Sequence, residues 1–246
     1  MSRLRLACVG DSITSGQGDS RCLGWPGRIG QKALASGHDC TVYNLGIRSD
    51  TSRDGARRWK EECLARLPQG TRCAVIFAFG INDATSEAGS FRVPLAETRA
   101  NASSMLGEAT RLGWSPLWIG PAPVDEARQP MVMEGGAIRM KTNAATAEYN
   151  DALRDLAAGE QVPYLDLMST LKGCQAWPTV ELTDGLHPTS AGYERLAKMI
   201  WAWPAYSSKA WSAGAFSSPD ARALRGEGSF PHRAPRHRVL QALSRT

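Results

Sequence analysis

Val9-Gly10-Asp11-Ser12-Ile13-Thr14 closes a short apolar run, Leu4-Arg5-Leu6-Ala7-Cys8-Val9. A run of this length ended by Gly reads as a strand buried on both faces of a parallel sheet. Small turn residues follow, and the pattern over 25–37 reads as a helix. A serine at the C-terminal tip of a first strand lies where open α/β sheets place their ligands. Ser12 is therefore the candidate nucleophile.

Further short apolar runs cover 41–45, 73–79, 116–119 and 162–167, each followed by Gly, Asp or Pro. Between them, helical spacing is found over 25–36, 51–67, 95–112, 143–156 and 190–203. Strands alternating with helices predict βαβ units, hence a five-stranded parallel sheet in one three-layer α/β/α domain. Residues 120–140 break the rhythm with Met131, Val132, Met133 and Met140, a candidate substrate wall or lid beside the strand tips. No internal repeat is visible.

The chain has 246 residues, 42% of them hydrophobic, enough for one sizeable core. Its net charge of +5 comes from the C-terminal segment. Residues 204–246 carry seven basic side chains against Asp220 and Glu227, so residues 1–203 are net neutral. The basic balance thus gives no reason to expect nucleic-acid binding by the main domain. Residues 204–246, rich in Ser, Ala, Gly, Pro and Arg, are expected to be a disordered basic tail. With no long apolar run and no signal-peptide pattern, a cytoplasmic protein without integral membrane association is expected. The six cysteines form no CxxC pair or Cys/His cluster, so reduced thiols, no metal and no cofactor are expected. Oligomeric state is not legible.

An activated serine needs a base. His232 and His237 lie in the tail, and His38 follows a predicted helix end far from the strand tips. That leaves His187, in Thr183-Asp184-Gly185-Leu186-His187-Pro188. Asp184, three residues upstream, can fix the ring tautomer and stabilise the imidazolium. Pro188 suits the first turn of the helix that follows. Two other strand tips, Asn44-Leu45-Gly46 and Phe79-Gly80-Ile81-Asn82-Asp83, offer donors for an oxyanion. The Gly46 N–H, the Asn82 side-chain amide and the Ser12 N–H are the candidates.

Gly10-Asp11-Ser12, Gly46, Gly80-Ile81-Asn82-Asp83 and Asp184-Gly185-Leu186-His187-Pro188 resemble, in order, the four blocks of the SGNH hydrolases, also called GDSL esterases/lipases. The resemblance covers about residues 4–203. It implies a flavodoxin-like fold, with Ser12 as nucleophile, His187 as base, Asp184 as acid, and Ser12, Gly46 and Asn82 as the oxyanion hole. Asp11 would orient the serine loop and Asp83 brace the Asn82 turn. The family's second block often reads Asn-x-Gly-x-x-Gly, whereas this chain has Ser49 at the last position. The implied partner is a small-molecule ester. Trp25 and the 131–140 stretch suggest apolar surface for small or medium acyl chains. Alternatives are a carbohydrate O-acetylesterase, an acyltransferase on the same residues, or a non-catalytic module whose 10–18 loop cradles phosphate. That loop lacks a Lys and a GK[ST] element.

Overall fold

A computed structural model describes residues 3–68 and 70–206. In chain order the first elements are β1 (Leu4–Gly10), α1 (Ser12–Ser15), α2 (Gly24–Ala35), β2 (Cys40–Gly46), α3 (Ser52–Leu64) and β3 (Arg72–Ala78). Then come β4 (Ser86–Glu87), β5 (Ser90–Phe91), α4 (Leu95–Arg111), β6 (Ser115–Ile119), β7 (Met131–Val132) and β8 (Ile138–Met140). The last are α5 (Asn143–Gly159), β9 (Tyr164–Leu165), α6 (Leu167–Leu171), α7 (Ala176–Val180) and α8 (Ser190–Ala202).

The main sheet is parallel, in the order β2-β1-β3-β6-β9. Side chains of β1 alternate between two cores, as the pleat requires. Leu4, Leu6 and Cys8 join Trp25 and Ile29 of α2 and Leu196 and Ile200 of α8 on one face. Ala7 and Val9 join Trp59 of α3, Met105 and Leu106 of α4 and Leu153 of α5 on the other. These are the expected three layers. Three of the five longer helices begin on side-chain caps: Thr51 and Asp54 form a capping box on α3, and Thr142 and Thr189 cap α5 and α8. Pro188 stands outside α8, bridged to Leu182, rather than in its first turn.

Several expectations change. The strand expected over 162–167 shrinks to Tyr164–Leu165. Pro163 has no N–H for the ladder, and Asp166 accepts from Ser169 N at 2.9 Å to start α6. Residues 120–140 do not form a plain loop. β7 and β8 join β4 and β5 in a second, antiparallel sheet of order β5-β4-β8-β7. Its strands are too short to show a periodic pattern. Trp25, expected near the site surface, is only 2% exposed and belongs to the core. Tyr206, just beyond the expected boundary at Trp203, is also buried in that core. The tail expectation for the residues after it lies outside the described residues.

A buried ion pair ties the start of the domain to its end. Asp19 follows α1, and Arg28 of α2 pairs with it; their side chains are 0% and 5% exposed. Asp19 also accepts from the amides of Arg21, Leu23 and Gly24 and from Ser190 Oγ at 2.6 Å. Burial alone would push the Asp19 carboxyl up, but Arg28 and these donors hold it well below the usual range. Arg28→Met removes one partner and leaves a buried charge. The expected loss is about 3 kcal/mol in urea unfolding, and a loss below about 1 kcal/mol would contradict this role.

Candidate active site

Ser12 stands at the tip of β1, and its hydroxyl is set by the turn into α1. Asp11 caps that turn, its Oδ1 accepting from Ile13 N at 2.9 Å. Asn44, from β2, donates from Nδ2 to Thr14 O at 2.9 Å. The turn is thus held from both sides, with Ser12 only 5% exposed.

His187 comes from the loop before α8. Its Nε2 lies 2.9 Å from Ser12 Oγ, and its Nδ1 lies 2.7 Å from Asp184 Oδ2. The other Asp184 oxygen accepts from His187 N at 2.8 Å and Leu186 N at 3.1 Å. Gly185, at φ +85°, allows the tight turn between them. The loop closes on itself, with Thr183 N and Oγ1 donating to His187 O at 2.7 and 2.9 Å. Burial raises the Asp184 carboxyl, but the donations from His187 and Leu186 outweigh it and hold it well below the usual range. It is therefore a carboxylate at neutral pH, facing the ring nitrogen opposite the serine. Such an arrangement can withdraw a proton from Ser12 and balance the imidazolium.

The other expected residues divide. Asn82 follows β3, and its Nδ2 donates to Asp50 O at 2.9 Å and reaches Asp11 Oδ2 at 3.3 Å. It stands beside the serine turn, as expected. Asp83 acts elsewhere: its carboxylate accepts from Ser52 N, the first amide of α3, and from Thr98 Oγ1 at 2.9 Å. It anchors α3 and α4, and so the end of the 47–51 loop, more than the Asn82 turn. Gly46 is already engaged. Its N–H already donates to Asn44 Oδ1 at 3.0 Å. A Cβ at Gly46 would collide with Ser15 N, so the residue serves the close packing of β2 on α1. Ser49, at the position where the family pattern has Gly, keeps a left-handed backbone at φ 65°. Arg92 Nη2 donates to its carbonyl at 3.0 Å.

Two features escaped the sequence reading. Ile81, Val124 and Leu186 form a small buried cluster, joined by Ile13 and Met131. Three of its members are neighbours in sequence of Ser12, Asn82 and His187, so the cluster floors the site. Lys141, just after β8, is 3% exposed and lies within electrostatic reach of Asp11 and Asp184. Nothing near it in sequence marks it. His38, by contrast, sits against Trp201, with ring centroids 6.3 Å apart, on the α8 side. A cleft of about 640 Å³ between α5 and α6–α7 includes none of Ser12, Asn82 or His187. Among the described residues, no three His, Cys, Asp or Glu side chains form a metal-binding group.

Asp11 is buried, and burial pushes its carboxyl up to about 6, against the opposing pull of Ile13 N–H, His187 and Lys141. Its folded pKa lies above its unfolded value, so the folded state holds the extra proton between the two. This contribution to stability is present at low pH and lost as pH rises from about 4 to about 6. Asp11→Asn removes it. Thermal melts of the two proteins should therefore show the difference moving in favour of the variant across that window, and a constant difference would refute the reading.

Residues 8–195 match the model of the GDSL-like lipase/acylhydrolase family. The chain is 37% identical over 177 residues to the isoamyl acetate-hydrolyzing esterase of Saccharomyces cerevisiae, covering 68% of this chain and 72% of that protein. The structure resembles the lipase/acylhydrolase from Enterococcus faecalis, with TM-score 0.66, 24% identity and coverage of 85% and 96% of the two chains. It also resembles an acetylxylan esterase from Geobacillus stearothermophilus, with TM-score 0.62, 22% identity and coverage of 81% and 93%. Among the described residues, no helix is long and apolar enough to cross a membrane. The chain belongs to the GDSL-like lipase/acylhydrolase family, the SGNH hydrolases, and is a carboxylic ester hydrolase.

Proposed function

We propose that the enzyme cleaves esters of small or medium acyl chains through Ser12, His187 and Asp184, by way of a covalent acyl-enzyme. The observation that carries this reading is the continuous hydrogen-bonded line from Asp184 Oδ2 through the His187 ring to Ser12 Oγ, at 2.7 and 2.9 Å. Ser12 Oγ attacks the carbonyl carbon while His187 Nε2 takes its proton. The tetrahedral intermediate collapses as His187 returns that proton to the leaving alcohol. Water then attacks the acyl-enzyme by the same route and releases the acid.

The developing oxyanion is received by the Ser12 N–H and Asn82 Nδ2, the latter giving up its long contact with Asp11. A third donor comes from the 46–49 turn. Gly46 supplies it by exchanging Asn44 Oδ1 for the oxyanion. The catalytic unit in this reading is residues 1–203, completed by Tyr206. The lean towards short acyl groups is supported by the Ile81, Val124 and Leu186 floor and by the yeast relative, whose name gives an acetate ester as its substrate.

Hydrolysis of p-nitrophenyl esters from acetate to decanoate tests this. Ser12→Ala should lose several orders of magnitude in kcat and all labelling by an organophosphonate. Full activity in that variant would refute the mechanism, and activity confined to acetylated sugars would refute the acyl-chain assignment. Asn82→Ala should lower kcat by about 10²–10³ with little change in KM. A change confined to KM would remove Asn82 from the oxyanion hole.

A further inference from the structure

We propose that Lys141, Arg92 and Arg139 form a subsite beside Ser12 that takes an anionic substituent, carboxylate or phosphate, on the alcohol part of the ester. The inference rests on the esterase reading above and adds a substrate class to it.

The first observation is a buried cation without a partner. Lys141 is 3% exposed, and its backbone N–H donates to Gln129 Oε1 at 3.3 Å. Its ammonium makes no hydrogen bond or ion pair with any described residue. A largely buried lysine whose ammonium is bonded to no acceptor, with Asp11 and Asp184 in electrostatic reach but not paired to it, leaves its donors open to an anionic occupant. Burial, with Arg139 and Arg92 nearby, pulls the Lys141 amine down to about 8. It still carries its charge at neutral pH.

The second observation is an excess of donors around it. Arg92 Nη1 and Gln129 Nε2 are buried and have no hydrogen-bond partner. Glu87 is the one carboxylate among the described residues that pairs with both arginines, at 3.5 Å from Arg92 Nε and 3.2 Å from Arg139 Nε. Arg92 and Arg139 thus share Glu87, and Lys141 forms no ion pair among the described residues. A neutral sugar would bring donors as well as acceptors and leave the charge uncompensated. A carboxylate or phosphate supplies acceptors only and matches guanidinium geometry.

The third observation is position. Arg139 Nη1 reaches Ser49 Oγ at 3.4 Å, and Lys141 lies within electrostatic reach of Asp11, which caps the Ser12 turn, and of Asp184, which holds His187. Arg92 holds the Ser49 carbonyl, and the next carbonyl, Asp50 O, contacts Asn82. The cations therefore border the reacting centre. The apolar floor of Ile81, Val124 and Leu186 suits the acyl chain, which leaves the charged side for the alcohol.

The test compares three acetate esters of matched shape: 4-acetoxybenzoate, 4-acetoxyphenyl phosphate and the neutral 4-acetoxybenzamide. Wild-type enzyme at pH 6.5 should favour at least one anion over the amide by about tenfold or more in kcat/KM, as expected for a charge-assisted contact. Which anion is favoured distinguishes carboxylate from phosphate recognition. Lys141→Met should lower that ratio about tenfold, and Lys141→Arg should retain most of it. A wild-type ratio near or below one overturns the proposal while turnover of the amide leaves the esterase reading intact. An equal loss on all three esters in Lys141→Met also overturns it, since the lysine would then only balance Asp11. Should Lys141→Met not fold, Arg92→Gln is judged by the same ratio.

Discussion

The site depends on β1 lying between β2 and β3 in matched parallel register. Gly10 stands opposite Gly46 on one side and Ala78 on the other, so three chain segments end at one level of the sheet. Each then leaves the sheet through a turn whose polar groups have no ladder partner and must find others nearby. Asn44 takes Thr14 O, Asn82 takes Asp50 O, and Asp83 takes the first amide of α3. These bonds fix the turns to one another. A slip of β2 by one residue would remove Gly46 from Ser15 and force a side chain into backbone.

The fourth component arrives from far away in sequence. Ser12 and His187 are 175 residues apart, and one hydrogen bond between them could not hold such a closure. The Asp19–Arg28 pair does more of that work, because its carboxylate also receives Ser190 at the start of α8. Tyr193 OH adds a bond to Gln17 O at 2.8 Å. The serine loop and the histidine loop are thereby fastened by groups that take no part in the chemistry. The polar cost of burying Asp19 and Arg28 is offset by full hydrogen bonding of the carboxylate. Their return is placement of His187 within reach of Ser12.

The second sheet gives the site its individual character. Its strands span only two or three residues each and draw from both sides of α4 in sequence. The neighbouring turn braces the histidine loop, with Asp125 N donating to Gly185 O and Arg128 Nη1 to Thr183 O. The sheet also carries Met131 into the apolar floor and brings Arg139 and Lys141 to the charged side. Family membership sets the reaction, while this sheet supplies apolar and charged side chains on the side of the serine and histidine loops.

Much of this was legible in the chain itself. Short apolar runs ending in Gly, Asp or Pro marked four of the five main strands closely, because strands buried on both faces leave a continuous apolar signal. The residues proposed to react were legible for a related reason. Ser12, Asn82, Asp184 and His187 follow directly on strands or precede a helix, where the backbone itself aims them. What the sequence could not carry were contacts made by residues without a local signature. Lys141 reads as one more surface lysine until β8 pairs with β4 and turns it inward. Trp25 reads as apolar surface near the site, and only packing sends it into the core. Gly46 reads as an oxyanion donor from its place at a strand tip, and only the fold shows that Asn44 Oδ1 competes for its N–H. The sequence by itself determined the layers, the strand tips and the chemistry available there, since these follow from periodicity and local turns. Tertiary structure alone decided which donors stay unpaired and which charges gather beside the serine turn, since both depend on partners distant in the chain.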